Sequence, residues 1–199
     1  MVTGTYRGPE QPVSPMGGTV ILTGAAIRGS VADGSLAIEP FDDRHINPNS
    51  YNVHLSERLL QRDEWSPDSE FRTITIPPHG HLLRPHTLCL GSTVERFGGN
   101  GHVTCLISRS SVGRLGLFVQ LNADMGNIGA IHAWTLELYA VQPIVLYPFM
   151  RVAQVMFWHP TGDRDLYQGE YANHDAPRPC RYSARGMVAE NSGEPVGQP

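Results

Sequence analysis

Short apolar runs, separated throughout by glycine and proline, constrain the fold of this chain more than any other feature of its sequence. The 199 residues include 21 glycines and 16 prolines. Brief runs rich in β-branched residues lie between these breakers, a pattern typical of short strands joined by turns. The predicted strands are Tyr51–Leu55, Leu59–Arg62, Arg72–Ile76, Thr87–Leu90, Val103–Ile107, Leu115–Leu121, Trp134–Ala140, Ile144–Leu146 and Val152–Trp158. This set favours a mainly β barrel or jelly roll over a doubly wound sheet.

The length and the distribution of polar residues predict one folded domain with irregular ends. Residues 19–33 suggest a short helix that Gly34 ends, and the β domain is expected to span residues 19–160. Residues 1–18 are rich in glycine and proline, which predicts a flexible N-terminal segment. Residues 161–199 are polar and irregular, and we expect them to form a tail that could cover an active site.

Charge and composition exclude several classes of function. The net charge of −4 gives no reason to expect nucleic acid as a partner. No apolar run approaches the roughly 20 residues of a membrane span, and the N-terminus lacks a signal-like apolar core, so a cytoplasmic location is expected. The three cysteines are widely spaced, and neither C-x-x-C nor H-x-E occurs. We therefore expect no disulfide framework and no protein-bound metal such as the zinc of other deaminases.

One acidic residue, Glu137, lies within the apolar segment TLELYA at residues 135–140. Strand alternation places Glu137 on the same face as Thr135 and Tyr139, opposite Leu136 and Leu138. Two interpretations remain open from these residues alone. Glu137 is either a solvent-facing strand residue or a carboxylate that lines a cleft and transfers protons there.

The segment LISRSSVGRLGLF, residues 106–118, interrupts two apolar runs with cations and hydroxyls. Arg109, Ser110 and Ser111 follow the first run, and Arg114 comes three residues later. Such a segment is either a solvated connection or an anion-binding element. Arginine forms bidentate hydrogen bonds to phosphate oxygens, and serine hydroxyls can complete a phosphate site.

Four segments, taken together and in this order, resemble one known family. Residues 34–55, GSLAIEPFDDRHINPNSYNVHL, resemble its pattern I-x-P-F followed by P-x-S-Y-D-L-x-L. Residues 108–117, SRSSVGRLGL, match G-R-S-S-x-x-R-x-G-L. Residues 127–140, NIGAIHAWTLELYA, correspond to a segment that begins with Asp and reaches L-E, and residues 144–157, IVLYPFMRVAQVMF, match a strand with R-I-x-Q-L-x-F. The chain thus resembles the dCTP deaminase branch of the trimeric dUTPase superfamily.

This resemblance implies a fold, an activity and an assembly. The fold would be a distorted β-barrel or jelly roll of dUTPase type with a short N-terminal helix. The activity would be zinc-independent hydrolytic deamination of a cytosine nucleotide, dCTP or a related one, to the uracil nucleotide and ammonia. The assembly would be a homotrimer, or a multiple of one, with active sites between subunits. Mg²⁺ would bind through the nucleotide phosphates.

The resemblance also implies roles for individual residues. Glu137 would activate the water that attacks C4 of the base, and Ser110 and Arg114 would organise that water. Arg109, Ser110 and Ser111 would hold phosphates, and the main chain around Ala123 would recognise the base. The other substrate-binding residues implied in this way are Asn127, Thr135, Leu136, Gln154, Tyr167 and His174.

The chain departs from the family pattern at several of these positions. Asn127 replaces an Asp that contacts the deoxyribose and, in dUTPase relatives, positions the attacking water, so pyrophosphate cleavage is predicted to be disfavoured. Glu170 stands at a Lys that meets the terminal phosphates, and His174 stands at a Gln. These differences point to a shorter phosphate chain or another sugar. A dUTPase-type pyrophosphatase and a non-catalytic nucleotide-binding protein remain alternatives, although the pair Arg114 and Glu137 favours the deaminase.

Overall fold

The computed structural model describes residues 20–62, 70–121 and 123–180, and in them the chain is mainly β. The strands and helices, in chain order, are β1 (Val20–Ile21), α1 (Gly24–Ala32), β2 (Ala37–Glu39), β3 (Tyr51–His54), β4 (Arg58–Arg62), β5 (Phe71–Thr75), β6 (His81–Leu83), β7 (Leu88–Gly98), β8 (Val103–Ser108), α2 (Ser110–Arg114), β9 (Leu117–Val119), β10 (Met125–Gly126), β11 (Ile131–Ala140), β12 (Ile144–Leu146) and β13 (Arg151–His159). A single 3₁₀ turn, Asp43–His45, precedes β3.

The strands form two larger sheets and a small one, and every pairing is antiparallel. The first sheet has the order β1-β13-β8-β10, with β3 also pairing with β13. The second has the order β5-β4-β7-β11-β9, with β2 also pairing with β7, and β6 pairs with β12. In the described part of the chain these sheets stay open and do not close into a barrel.

The hydrophobic core follows from strand alternation. In β11, Leu136 and Leu138 are fully buried, whereas Glu137 and Tyr139 between them are only half-buried. In the first sheet, Val155 of β13 is fully buried and pairs in register with the buried Leu106 of β8. Each such side chain contributes about 1.5–3 kcal/mol when removed from water. One face of β11 is therefore fixed in the core, and its other face is available for a site.

The predicted N-terminal helix is present but shorter than expected. Thr23 caps α1, because its hydroxyl accepts a hydrogen bond from the Ala26 amide at 3.3 Å. Gly34 follows the helix with a φ of 77°, a conformation that suits glycine after a helix end. The prediction was wrong for the first residues of the segment: Val20 and Ile21 pair with His159 and Trp158 as a strand.

The strand predictions fail mainly where non-local contacts decide the structure. The strand predicted at Thr87–Leu90 extends as β7 to Gly98, because β11 and β2 pair with its second half. The strand predicted at Leu115–Leu121 is reduced to β9, and the segment before it is the short helix α2. Strands β2, β6 and β10 were not predicted at all, since each is only two or three residues long.

The two ends of the chain differ in what the structure describes. Residues 1–18, the predicted flexible segment, and residues 181–199 lie outside the described residues. Residues 160–180 contain no helix or strand, yet several of them are half-buried or buried against the second sheet. No helix in the described part of the chain has the length and apolar character that crossing a bilayer requires.

Candidate active site

A cavity of about 930 Å³ lies along the outer face of the second sheet. Strands β4, β5, β7 and β11 form its walls together with the turn after β9 and the irregular tail. Apolar and aromatic residues make up about half of its lining, and the other half carry polar or charged groups. This combination is characteristic of small-molecule sites.

Alternation along β11 supplies the polar centre of the cavity. Thr135, Glu137 and Tyr139 all line it, while Leu136 and Leu138 point into the core. Of the two interpretations of Glu137, the position in the structure therefore favours the carboxylate that lines a cleft over the strand residue that faces solvent.

The β11–β7 pairing contains a register shift next to Thr135, where the cavity lining also includes a residue outside the alternating face. Ala133 pairs with Arg96, but Thr135 pairs with Ser92, so β7 contains extra residues at this point. Such irregularities bend a strand and re-aim its side chains. Trp134, adjacent to Thr135 in sequence, also lines the cavity, which strict alternation does not predict.

Glu137 is held by the turn that follows β9. Its main-chain carbonyl accepts from the Gln120 amide at 3.1 Å, and its Oε2 accepts from the Leu121 amide at 3.2 Å. An ionised carboxylate can accept about four hydrogen bonds. The side chain is thus positioned by the protein and keeps acceptor capacity for a water molecule or a ligand.

Gln120 lies beside Glu137 and also lines the cavity. Its φ of 60° is in the left-handed region, which is uncommon for a residue other than glycine. Its Nε2 donates to the Ala123 carbonyl at 2.6 Å and so closes the turn, while its Oε1 is buried and has no hydrogen-bond partner among the described residues. Nothing in the local sequence signals this arrangement.

Four rings stack in a column at one end of the cavity. The ring centroids are 5.4 Å apart for Phe97 and Trp134, 5.3 Å for Trp134 and His132, and 4.3 Å for His132 and His174. The pKa of His174 is lowered to about 4, chiefly by burial and to a smaller extent by the neighbouring His132. The pKa of His132 is also lowered, chiefly by burial.

The irregular tail reaches this column by running along β11. The Ala172 carbonyl accepts from the Ile131 amide at 3.2 Å, and the His174 carbonyl accepts from the Ala133 amide at 3.0 Å. Further along, the Arg178 amide donates to Thr135 Oγ1 at 3.1 Å. The tail therefore forms one wall of the cavity of its own chain.

Two arginines line the cavity, and neither was predicted as a site residue. The Arg62 guanidinium lies 4.5 Å from the centroid of the Phe71 ring, and Arg178 belongs to the tail. His86, with its Nδ1 3.1 Å from Tyr139 Oη, lies in the lining as well. All three come from segments distant from Glu137 in sequence, so no local motif could have identified them.

The predicted phosphate segment does not line this cavity. Ser110 and Ser111 begin α2, Arg114 ends it, and all three are exposed. Arg109 is half-buried at the N-terminal end of the helix. Within one chain, the structure thus separates the two elements that the resemblance assigns to one active site.

Some of the other predicted residues line the cavity, and others lie away from it. Ala123, Thr135 and His174 line the cavity with Glu137, whereas the fully buried Leu136 side chain lies on the opposite face of β11. Three predicted residues lie elsewhere. Asn127 is exposed in the turn before β11, the Tyr167 amide donates to the Ile128 carbonyl at 2.8 Å, and Gln154 Oε1 accepts from Ser50 Oγ at 3.0 Å. Glu170 is exposed in the tail.

Comparison with known proteins decides the family. A sequence model described as dCTP deaminase-like matches residues 21–159. The dCTP deaminase, dUMP-forming, of Hathewaya histolytica is 39% identical over 165 residues, which cover 80% of this chain and 95% of the relative. The chain belongs to the dCTP deaminase-like family. The prediction made from the four segments is therefore confirmed.

Two further relatives complete this comparison. The dCTP deaminase of Rhodopirellula baltica is 38% identical over 148 residues, covering 72% of this chain and 74% of the relative. The crystal structure of 2′-deoxycytidine 5′-triphosphate deaminase from Agrobacterium tumefaciens matches with a TM-score of 0.58 at 22% identity, over 71% of this chain and 49% of that one. This chain therefore spans about half the length of that protein, and the match confirms the predicted mainly β fold.

Proposed function

We propose that this protein catalyses the hydrolytic deamination of dCTP. Water supplies an oxygen to C4 of the cytosine ring, the bond from C4 to the exocyclic nitrogen breaks, and ammonia leaves. The observation that carries the proposal is the placement of Glu137, a half-buried carboxylate with spare acceptor capacity inside the cavity of a dCTP deaminase-like chain. Relatives named as dCTP deaminases at 36–40% identity support the choice of substrate.

Glu137 would act as the general base and then as the general acid. It would take a proton from the attacking water and later deliver a proton to the departing amine. The Leu121 amide fixes the orientation of the carboxylate for both steps. A positioned acid–base group of this kind contributes about 10²–10⁴-fold to a rate.

A neighbouring subunit would supply the phosphate-binding half of the site. Arg109, Ser110, Ser111 and Arg114 carry the chemistry for phosphate oxygens, but in one chain they lie away from the cavity. Exposed apolar side chains follow α2 in the chain: Leu115, Phe118 and Met125 are 56%, 44% and 72% exposed. Apolar surface of this kind marks protein contacts. A homotrimer would cover it and bring the exposed α2 side chains to a second subunit's cavity.

Mg²⁺ would be held by the triphosphate rather than by a protein cage. Among residues 20–62, 70–121 and 123–180, no group of three or more His, Cys, Asp or Glu side chains is placed to hold a metal ion. The cavity instead presents Arg62 and Arg178 to an anionic ligand. When bound, the ion would neutralise part of the phosphate charge.

Continuation to dUMP is a second candidate activity. The Hathewaya histolytica relative is named dUMP-forming, a reaction that consumes two waters per dCTP and also releases pyrophosphate. Against it stands Asn127, whose amide cannot take a proton from a second water as a carboxylate can.

Product analysis separates these activities. The protein is incubated with Mg²⁺ and dCTP, dCDP, dCMP or CTP, and ammonia, uracil nucleotides and pyrophosphate are quantified. We expect ammonia and dUTP from dCTP. Equal amounts of ammonia, dUMP and pyrophosphate would establish the second candidate. Pyrophosphate without ammonia, or binding without any product, would refute the deaminase.

Subunit complementation tests the shared site. Arg114→Ala and Glu137→Gln should each be inactive alone, because each removes one half of every site. Unfolding and refolding an equal mixture should restore about a quarter of wild-type activity, the share of interfaces in which both halves are intact. A mixture as inactive as its two components would place both residues in the same subunit's site.

A further inference from the structure

The cavity continues along β11 beyond Glu137 to an end that the deamination step does not use. Tyr139 is the next residue on the cavity face of this strand, about 7 Å from Glu137 along the main chain. It pairs in register with Leu88 of β7, which lines the cavity and is 46% exposed. This end therefore has an apolar residue at its base and a phenol hydroxyl beside it.

Strand pairing brings Arg62 to the same end. Gln61 of β4 pairs with Cys89 of β7, so the next residue of β4, Arg62, lies beside Leu88. Neighbouring strands are about 4.8 Å apart, which puts the main chains of Arg62 and Tyr139 about 10 Å apart with Leu88 between them. Both side chains line the cavity. A cation and a hydroxyl thus flank one apolar position of the sheet.

His86 adds a third polar group in an unusual backbone conformation. Its Nδ1 lies 3.1 Å from Tyr139 Oη, and its amide donates to the Ala140 carbonyl at 2.8 Å. Its φ of 59° is in the left-handed region. Residues other than glycine adopt this region at a cost in free energy, and such residues are concentrated at functional sites. An exposed histidine that glycine could replace without strain is therefore a candidate for binding a ligand.

The hydrogen-bonding capacity of this end suits an anion. If the Tyr139 hydroxyl donates to His86 Nδ1, the other ring nitrogen of His86 carries a hydrogen and is a free donor. If His86 Nδ1 is the donor, the Tyr139 hydroxyl is free to donate instead. Arg62 adds N–H donors that carry positive charge. Among the described lining residues Glu137 is the only acid, against two arginines and three histidines.

We propose that Arg62, His86 and Tyr139 form an anion subsite that holds a phosphoryl group, separate from the exposed segment at α2. Charged donors of this kind form strong hydrogen bonds to phosphate oxygens. The phosphoryl group belongs either to the nucleotide, in which case the assignment rests on the proposed function, or to a free phosphate or pyrophosphate. A nucleotide with C4 at Glu137 has its sugar and phosphates on the opposite side of the base, so its phosphate chain reaches a part of the cavity away from Glu137.

Calorimetry on the full-length Glu137→Gln protein tests the subsite and identifies the source of the phosphoryl group. Arg62→Gln should raise the Kd for pyrophosphate about tenfold, because one charge-assisted hydrogen bond is lost. Arg58→Gln is the matched control, since Arg58 is exposed on the same strand and does not line the cavity. If the nucleotide supplies the group, Arg62→Gln also weakens dCTP but not deoxycytidine, and pyrophosphate competes with dCTP. If the anion is free, pyrophosphate binds in the presence of dCTP, whose Kd is unchanged.

The outcomes separate this assignment from the proposed function. An Arg62→Gln protein that binds both pyrophosphate and dCTP as tightly as its parent overturns the subsite. So does a parent protein that does not bind pyrophosphate and whose affinity for dCTP is unchanged by the substitution. A wild-type protein that releases no ammonia from dCTP refutes the deaminase, and the pyrophosphate titrations still decide the subsite.

His86→Gly distinguishes binding from folding. Glycine adopts the left-handed backbone without strain, so the melting temperature should stay equal or rise, while the Kd for pyrophosphate rises about three- to tenfold. Phe149→Gly is the control, because Phe149 has a φ of 63° in the turn before β13 and does not line this cavity. It should leave the Kd unchanged. Tyr139→Phe keeps the ring and should raise the Kd without lowering the melting temperature. If His86→Gly and Tyr139→Phe lower the melting temperature and leave the Kd unchanged, the pair only stabilises the fold and the assignment fails.

Discussion

Two carboxylates on paired strands of the same sheet have opposite surroundings. Glu95 of β7 is 3% exposed, its Oε2 accepts from the His54 amide at 2.9 Å, and its Oε1 lies 2.5 Å from His54 Nδ1. Glu137 of β11 is half-buried in the cavity and accepts from the Leu121 amide. Both oxygens of Glu95 are thus engaged inside the protein, whereas Glu137 retains acceptor capacity toward the cavity.

The difference shows why one carboxylate stabilises the fold while the other can react. A buried carboxylate is tolerated when hydrogen bonds replace its water, and those bonds leave it nothing to offer a ligand. A carboxylate held by a single main-chain donor is positioned without being satisfied. Exchanging each acid for its amide should therefore change activity in one case and stability in the other.

The largest effect is expected from Glu137→Gln. The amide keeps the shape of the side chain but cannot accept the proton from water, so kcat should fall by about 10²–10⁴-fold. The melting temperature should change little, since the Gln Oε1 can still accept from the Leu121 amide. Steady-state kinetics with dCTP and thermal unfolding measure the two quantities. Deamination by this variant at a near wild-type rate would remove Glu137 from the mechanism.

The converse substitution, Glu95→Gln, should reduce stability and spare the chemistry. The neutral amide loses the charge-assisted hydrogen bond that the carboxylate accepts from the His54 ring, so the free energy of unfolding should fall by about 2 kcal/mol. Chemical denaturation measures this loss, and kcat/KM at a temperature well below unfolding should stay within about twofold of wild type. Glu57→Gln, at an exposed turn position, is the matched control. A stable but inactive Glu95→Gln protein would show that the two carboxylates do not differ in role as their surroundings indicate.

Sequence alone could not separate these two acids, but it could identify one of them through its context. Glu137 lies within an apolar run, where alternation assigns it only a face, and Glu95 lies in the mixed segment STVERF beyond the strand predicted at Thr87–Leu90. What distinguished Glu137 was its place after the R-S-S-x-x-R segment, in the order of segments by which the chain resembles the family. Family and fold class follow from such local patterns, and both predictions are confirmed.

The features that sequence missed depend on contacts between distant residues. The tail reaches β11 through a bond between Arg178 and Thr135, which are 43 residues apart. Trp134 lines the cavity next to a register shift that only the pairing with β7 reveals. Gln120 shows the same limit, because its orphan acceptor depends on where one amide turns in three dimensions. Period and spacing carry no information on any of these.

The smallest expected effect is a pH dependence of tail docking that arises at His174. His174 is 7% exposed in the tail and faces His132 and Thr135 of β11 together with Arg178 and Asp175 of the tail. Burial lowers the pKa of His174 to about 4 when the tail is docked. In a free tail the pKa would be about 6.5. Between these two pKa values, His174 is therefore neutral in the docked tail and protonated in the free tail.

The sign of the effect follows from this order of pKa values. Above about pH 6.5 both states are neutral at His174 and docking does not depend on pH, whereas on acidification the free tail gains the proton first. At about pH 5.5 docking should weaken by about tenfold, or ~1.4 kcal/mol, and below about pH 4 the loss should level off. The pH dependence of tail cleavage by a broad-specificity protease measures docking, and NMR titration of the histidine Cε1–H signals measures the pKa itself. His174→Phe keeps a ring on His132 but cannot titrate, so its tail should be cleaved equally at both pH values after correction for protease activity. A His174 that titrates near pH 6.5 in the intact protein, or a Phe variant with the wild-type pH dependence, would show that the ring stack does not sense protons.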